Sequence, residues 1–333
     1  MKSTFKIANP QLQISCLVLL ASCFLARAGT EEQINKRFSV QPGGKLIVDV
    51  DFGTINVKTN GSNEVVVDVN RKVSRKNKTD EEAFLRERPV TFSQDGNHIT
   101  IESRHRNHGN SSHGSQRTEG KYTITVPSNF SARLNTSGGG ITVADLTGDT
   151  DAKTSGGHLE FARLHGPLDG STSGGSIHIA DCEGKLNVHT SGGNIEVLTG
   201  SGTLDGNTSG GPVTVKDFRG PAHVETSGGG ITLENVTGKV NGSTSGGPIS
   251  ASFSSPPSDE IKLETSGGSV TVHVPDNSSF NLDAETSGGG VKSDLPVTIV
   301  GKAERNHLKG PVNGGGKSMI LRTSGGSIHV KKS

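Results

Sequence analysis

Thr136-Ser137-Gly138-Gly139 returns nine more times along the chain, at Thr154, Thr172, Thr190, Thr208, Thr226, Thr244, Thr265, Thr286 and Thr323. The first seven copies start 18 residues apart, the next two steps are 21, and the last is 37. Self-similarity at a fixed period marks units that cannot bury an apolar face alone and do so by stacking on their neighbours.

Counting Thr as place 1, places 6 and 8 are apolar in successive units: Ile141 and Val143, Leu159 and Phe161, Ile177 and Ile179, Ile195 and Val197, Val213 and Val215, Ile231 and Leu233. That alternation predicts a short strand with one face buried. Place 13 is glycine in six successive units (Gly148, Gly166, Gly184, Gly202, Gly220, Gly238), which reads as a turn with positive φ. A second strand follows through places 15 and 17 into the next Thr, as in Leu186, Val188 and Thr190. On that parity Thr points inward and Ser outward, and the Gly-Gly pair forms the corner.

The fold class this implies is all-β, a β-solenoid of 18-residue repeats with an N-terminal β cap module. An apolar fraction of 29% is lean for a globular core of this length. A stack manages with less, because ladders between coils satisfy the backbone and each thin coil buries only a few aliphatics. An inward Thr column is expected to chain hydroxyls from coil to coil.

Place 17 alternates larger and smaller residues: Ala152, Gly170, Val188, Gly206, Val224, Gly242. Two arrangements account for this. Adjacent coils offset bulk against gaps, or one full turn holds 36 residues and like stacks on like; the second is slightly preferred on sequence grounds.

Residues 1–28 have the pattern of a secretory signal. Lys2 and Lys6 precede an apolar run beginning Leu17-Val18-Leu19-Leu20-Ala21, and Ala26-Arg27-Ala28 offers a small-x-small cleavage site before Gly29. The run is too short to favour a membrane-spanning helix. Leu20-Ala21-Ser22-Cys23 also resembles a bacterial lipobox with Cys23 as a lipid anchor, although an apolar Phe24-Leu25-Ala26 after that cysteine is unusual in a tether. Removing 1–28 takes away three cations and no acid, moving the formal charge from +1 to −2, which argues against nucleic acid as a partner. Cys16 and Cys23 go as well and leave Cys182 without an intramolecular mate. It stands at place 11, where other units carry Leu146, Leu164, Phe218 and Val236, so it reads as a small buried hydrophobe.

Residues 29–135 lack the repeat and are expected to form a β module or cap. Strands are expected at Lys45–Val50, Thr54–Lys58, Glu64–Asn70, Ile99–Ser103 and Lys121–Val126, and Thr79-Asp80-Glu81-Glu82 resembles a capping box opening a short helix that ends before Pro89. Gly53-Thr54-Ile55-Asn56-Val57 echoes the repeat, as a degenerate start of the same stack would. Residues 136–293 are the regular array. Residues 294–333 are expected to hold an irregular insertion followed by the last unit, Thr323–Val330, and a cap. Exposed strand edges need such caps.

Signals of chemistry are weak. Ser of Thr-Ser-Gly-Gly recurs in ten equivalent copies, and a catalytic residue would appear once. His105, His108 and His113 form a candidate soft-metal cluster, but no cysteine joins them and a solvated loop is the expected reading. Asp145, Asp181 and Asp217 recur at place 10 and read as turn residues rather than an acidic column. Calcium-binding nonapeptide rolls share the 18-residue coil, but the ligating Asp after Gly-Gly-x-Gly is missing here. With no Trp and one Tyr, the aromatic platforms of polysaccharide enzymes are absent. The sequence thus predicts no catalytic, cofactor-binding or metal-binding residues and no enzymatic activity.

The leader Phe38-Ser39-Val40-Gln41-Pro42-Gly43-Gly44-Lys45-Leu46, the Gly53-x-Ile55-x-Val57 and Tyr122-x-Ile124-x-Val126-Pro127 motifs, and the Thr-Ser-Gly-Gly-x-Ile array together resemble a bacterial exported β-strand-repeat family of unknown function labelled "putative adhesin". The resemblance covers nearly the whole chain after residue 28. It implies an exported, envelope-associated β-solenoid, in the periplasm or at the cell surface, and supplies no catalytic residues. Because repeat proteins commonly bind along extended surfaces, the stack is expected to bind an unidentified envelope or surface protein or glycan. A structural spacer or envelope-stress component is the alternative, and a polysaccharide-acting enzyme is a third and poorer one.

Overall fold

The computed structural model describes residues 29–105, 117–299 and 304–333. A representative unit starts at Thr226. Ile231–Glu234 is a strand, Asn235 turns the chain with φ 54°, Gly238 turns it again with φ 104°, and Val240–Thr244 is the second strand. Asn235 and the aspartates at place 10 suit that left-handed turn because a short polar side chain tolerates it better than most. Gly238 adopts a φ that a Cβ disfavours.

Neighbouring coils pair in parallel at one-unit offset. Ile231 pairs with Val213 on one side and Ile249 on the other, and Val240 lies between Ala222 and Ile261. One turn therefore holds 18 residues in the regular array, and the 36-residue alternative is wrong. The alternation at place 17 is an offset between adjacent coils. A Cβ on Gly170 would lie 3.0 Å from Cε2 of Phe161 and 3.3 Å from Cγ1 of Val188, so the small position makes room for its neighbours' bulk. A narrow third stack of bridges, such as Thr147 with His165 and His165 with Glu183, closes the coil between the two main faces.

The inward parity is as the repeat predicts. In one coil Ile177, Ile179, Cys182, Leu186, Val188 and Thr190 all have no exposed surface. Each fully buried aliphatic contributes about 1.5–3 kcal/mol, so a coil holds itself in place by a few such side chains and its two ladders. The Thr column differs in detail from the hydroxyl chain expected. Along the array the hydroxyls donate to the carbonyl of the second corner glycine of the adjacent coil, and most also accept from the N–H of the second glycine of their own corner. For Thr190 these are Gly175 O at 2.8 Å and Gly193 N at 3.2 Å. The relay therefore runs glycine N–H, threonine, glycine C=O through the stack.

The N-terminal residues join the same stack in a crossed order. β1 (Thr30–Ser39), β2 (Gly44–Val50), β3 (Thr54–Asn60) and β4 (Glu64–Ser74) precede α1 (Lys78–Glu87); β5 (Thr91–Asp95), β6 (His98–Ser103), β7 (Arg117–Pro127), β8 (Phe130–Thr136) and β9 (Ile141–Ala144) follow it. β2 and β3 form a coil that pairs in parallel with β8 and β9 below and with β6 and β7 above. The repeat's echo is thus in register with it: Ile55 pairs with Ile141, and the Thr136 hydroxyl donates to Gly53 O at 3.0 Å. Antiparallel strands then blunt the end, β5 on β6, β4 on β7 and β1 on β4. α1 ends before Pro89 as expected, but its cap is Asn77, whose side chain accepts from the Asp80 N–H at 2.8 Å, rather than Thr79.

The opposite end repeats the device. Thr323 does not close the stack. Its strand, Lys317–Thr323, pairs with Ile261–Thr265 on one side and with Phe280–Thr286 on the other. The last unit in sequence is therefore the penultimate coil in space, and the unit at Thr286 is outermost. The segment between them is less irregular than expected, for His307–Val312 runs antiparallel on Phe280–Glu285 and covers the final edge.

Candidate binding surface

The outward places present the stack's polar side chains to solvent. On the face formed by places 6–9, Thr142, Glu160, His178, Glu196, Thr214 and Thr232 follow one another up the column, and His178 Nδ1 lies 3.0 Å from Glu196 Oε2. On the face formed by places 15–18, Arg133 and Lys153 each reach Asp151 at 3.3 Å, and Lys262 reaches Glu264 at 2.9 Å. These exposed pairs stabilise the fold little, about 0–1 kcal/mol each. They spread both signs of charge along the faces instead of focusing one.

Among the described residues the faces are interrupted by open grooves, two of which run along the repeats. The first, about 510 Å³, is lined by Lys45, His98, Arg133, Asp151, Asp169 and Lys185 and runs over the starts of successive strands. The second, about 580 Å³, follows the corner past Asp181, Glu183, Gly200, Asp217 and Arg219. It lies where place 11 is Gly200, whose inward space the Phe218 ring fills: a Cβ there would meet Phe218 Cε2 at 3.1 Å.

The candidates singled out by sequence do not converge. His105 sits 3.4 Å from Glu87, and its backbone N–H donates to Asp51 Oδ2 at 2.6 Å. His108 and His113 lie outside the described residues, as do Cys23 and the whole of 1–28. Among the described residues no group of three or more His, Cys, Asp or Glu is disposed to hold a metal ion. Cys182 is fully buried with Sγ donating to Ala180 O at 3.5 Å, and burial pushes its thiol up, away from the reactive thiolate. Asp145, Asp181 and Asp217 occupy left-handed turns with φ of 63°, 54° and 46°. Arg163 intervenes between the first two, and its hydrogen bonds hold the Asp145 carboxyl below the usual range.

Sequence reasoning missed a polar cluster in the N-terminal cap. Arg71 is fully buried; its Nε donates to Glu32 Oε2 at 2.6 Å and its Nη1 to Arg88 O at 2.6 Å and Ser103 Oγ at 3.0 Å. Phe84 is held between two guanidinium groups, Arg75 at 4.1 Å and Arg88 at 4.0 Å from the ring centre. The signal was available: Arg71 falls in line with the inward Val65, Val67, Val69 and Val73 of β4. A charge at a core position needs a partner, and Glu32 supplies it.

Comparison with known proteins gives a family and no activity. The model of the Toastrack DUF4097 family matches residues 45–331. The chain resembles the solved structure of a "putative adhesin" from Parabacteroides distasonis, at 11% identity and TM-score 0.42, with 92% of this chain and 98% of that one covered. It also resembles one from Bacteroides fragilis, at 11% identity and TM-score 0.32 over 91% and 97% of the two chains. A "putative cell adhesion protein" from Clostridium sporogenes is similar at 15% identity and TM-score 0.21 over 91% and 100%. No curated protein matches. No helix among the described residues is long and apolar enough to cross a membrane.

Proposed function

This chain belongs to the Toastrack DUF4097 family, and on that footing we propose that it is a non-enzymatic binding scaffold of the cell envelope or surface. Residues 1–28 direct export and are removed, and the stack presents its outward faces to a protein or glycan partner. One observation carries this reading. Inward places keep to apolar, small or threonine residues from coil to coil, while the outward column Thr142, Glu160, His178, Glu196, Thr214 and Thr232 mixes hydroxyl, acid and imidazole groups.

 

Packing does not require that variety, whereas recognition along an extended surface would use it. The mixed signs of charge fit a polar partner better than a polyanion.

Charge reversal on each face tests the proposal. Glu160→Lys with Glu196→Lys alters one face, and Asp169→Lys with Glu225→Lys alters the other. All four side chains are outward, so thermal stability is expected to stay within about 1 kcal/mol of wild type. Capture of envelope components by the immobilised chain is expected to fall about tenfold or more for one of the two variants. If the wild-type chain retains no envelope protein or glycan, the scaffold binds nothing and the spacer reading replaces this one.

A further inference from the structure

β1 is the outermost strand of the N-terminal cap, and among the described residues its one strand partner is β4. It is long for an edge strand, ten residues, and such an edge is a ready template for another strand. Side-chain bonds to its backbone fall at its ends: Thr30 N–H donates to Glu81 Oε2 at 3.1 Å, and Gln94 Nε2 donates to Ser39 O at 2.8 Å. Glu31–Arg37 between them has its second edge open among the described residues.

The sequence of that open stretch is Glu31-Glu32-Gln33-Ile34-Asn35-Lys36-Arg37. Read against its own reverse, it is complementary: acid faces base, amide faces amide, and Ile34 faces itself. We propose that β1 pairs antiparallel with β1 of a second copy of this chain, joining two stacks end to end about a two-fold axis through Ile34.

Geometry makes this register selective. Two strands side by side about a two-fold axis are antiparallel, and the axis is perpendicular to the sheet, so each residue faces one of its own parity. The axis must then pass through a residue rather than between two. Centring on Ile34 sets Glu31 opposite Arg37 and Glu32 opposite Lys36, twice each by symmetry. Centring on Gln33 sets Glu31 opposite Asn35, and centring on Asn35 sets Gln33 opposite Arg37, so both neighbouring registers lose the acid–base matches.

The surrounding charges agree with this arrangement. On the outward parity Glu31 lies 2.8 Å from Lys72 of β4, which is in register with Glu119 of β7, and Arg37 lies 3.5 Å from Glu64. Adding the second copy continues the row as Glu119, Lys72, Glu31 and the second copy's arginine, alternating in sign across the joined sheet. On the inward parity Glu32 already holds the buried Arg71, and the second copy's lysine approaches its solvent side. A foreign strand would have no reason to match this palindrome, whereas a second copy matches it automatically.

Sedimentation velocity of the full chain over a range of concentrations tests the proposal. The wild type is expected to show a reversible dimer that weakens as salt is added. Glu31→Arg and Arg37→Glu, each placing like charges opposite one another twice, are expected to raise the dissociation constant about tenfold or more. Combining the two restores opposite charges, and association is expected to return to within about threefold of wild type. Both side chains are exposed, and circular dichroism melts are expected to be unchanged in all three variants. A wild type that stays monomeric, a dimer indifferent to either single reversal, or a double variant no better than the singles would each overturn the proposal.

Discussion

Gly193→Val is expected to unfold the stack locally and to cost more than about 3 kcal/mol, while Gly192→Ala next to it is expected to cost less than about 1 kcal/mol. The two glycines look alike in sequence but not in space. A Cβ on Gly193 would lie 2.0 Å from Gly175 O and 2.4 Å from Gly175 C, backbone atoms of the adjacent coil that cannot step aside. On Gly192 the nearest atom would be Ser173 O at 3.5 Å, an ordinary contact. The corner is therefore limited by how closely successive coils approach. Thr190→Val keeps the shape but leaves the Gly193 N–H and Gly175 C=O without their hydroxyl, which is expected to cost about 1–3 kcal/mol. Ser191→Ala, on the exposed side, is expected to change stability by less than about 0.5 kcal/mol. Denaturant melts of the four variants check the order, and a Ser191→Ala costlier than Thr190→Val would mean the parity is reversed.

Truncation after Gly316 is expected to be nearly as damaging. In a stack whose last unit lay outermost, losing it would fray one end. Here residues 317–332 fill the level between the coils at Thr265 and Thr286, with Met319, Leu321, Ile328 and Val330 buried there. Removing them strips four apolar side chains, about 1.5–3 kcal/mol each, and detaches the outermost coil with its antiparallel cover. The truncated chain is expected to melt earlier, with the segment from Phe280 onward becoming protease-sensitive. Cleavage confined to the last few residues before the new terminus would contradict the crossed order.

The unit was legible because ten copies let each place be read many times over. Inward Ile231, Leu233 and Val240 and the turn glycine Gly238 all stand where the period put them. The order of the coils was not legible, because one Thr-Ser-Gly-Gly corner fits on any other. The Thr323 hydroxyl donates to Gly268 O as it could to the carbonyl of any other corner, and the antiparallel strand His307–Val312 covers the outer edge instead. β1 and β5 were missed for a related reason. Edge strands such as Thr-Glu-Glu-Gln-Ile-Asn-Lys-Arg-Phe-Ser bury little and carry no clean alternation to read.

The binding surface was less legible than the fold, and the cause is physical. Packing constrains Ile177 or Thr190, so the repetition of their places reports what they do. Core packing does not constrain Glu160, His178 or Glu196, and a single sequence records their variety without recording what partner they would meet. Arg71 was missed although its place among the inward valines of β4 was a signal of a buried charge; its partner Glu32 lies on another strand and nothing in the sequence names it.

Hydrogen exchange read by mass spectrometry at the C-terminus tests the central claim most directly, namely that the repeats form one continuous stack whose last unit in sequence lies inside it. Peptides covering Met319–Thr323 and Ile328–Val330 are expected to exchange as slowly as those covering Ile261–Thr265 and Val270–Val274, and more slowly than Val291–Ser293 on the outermost coil. Rapid exchange at Ile328–Val330, with Val291–Ser293 protected, would place the last unit at the end of the stack and contradict the account.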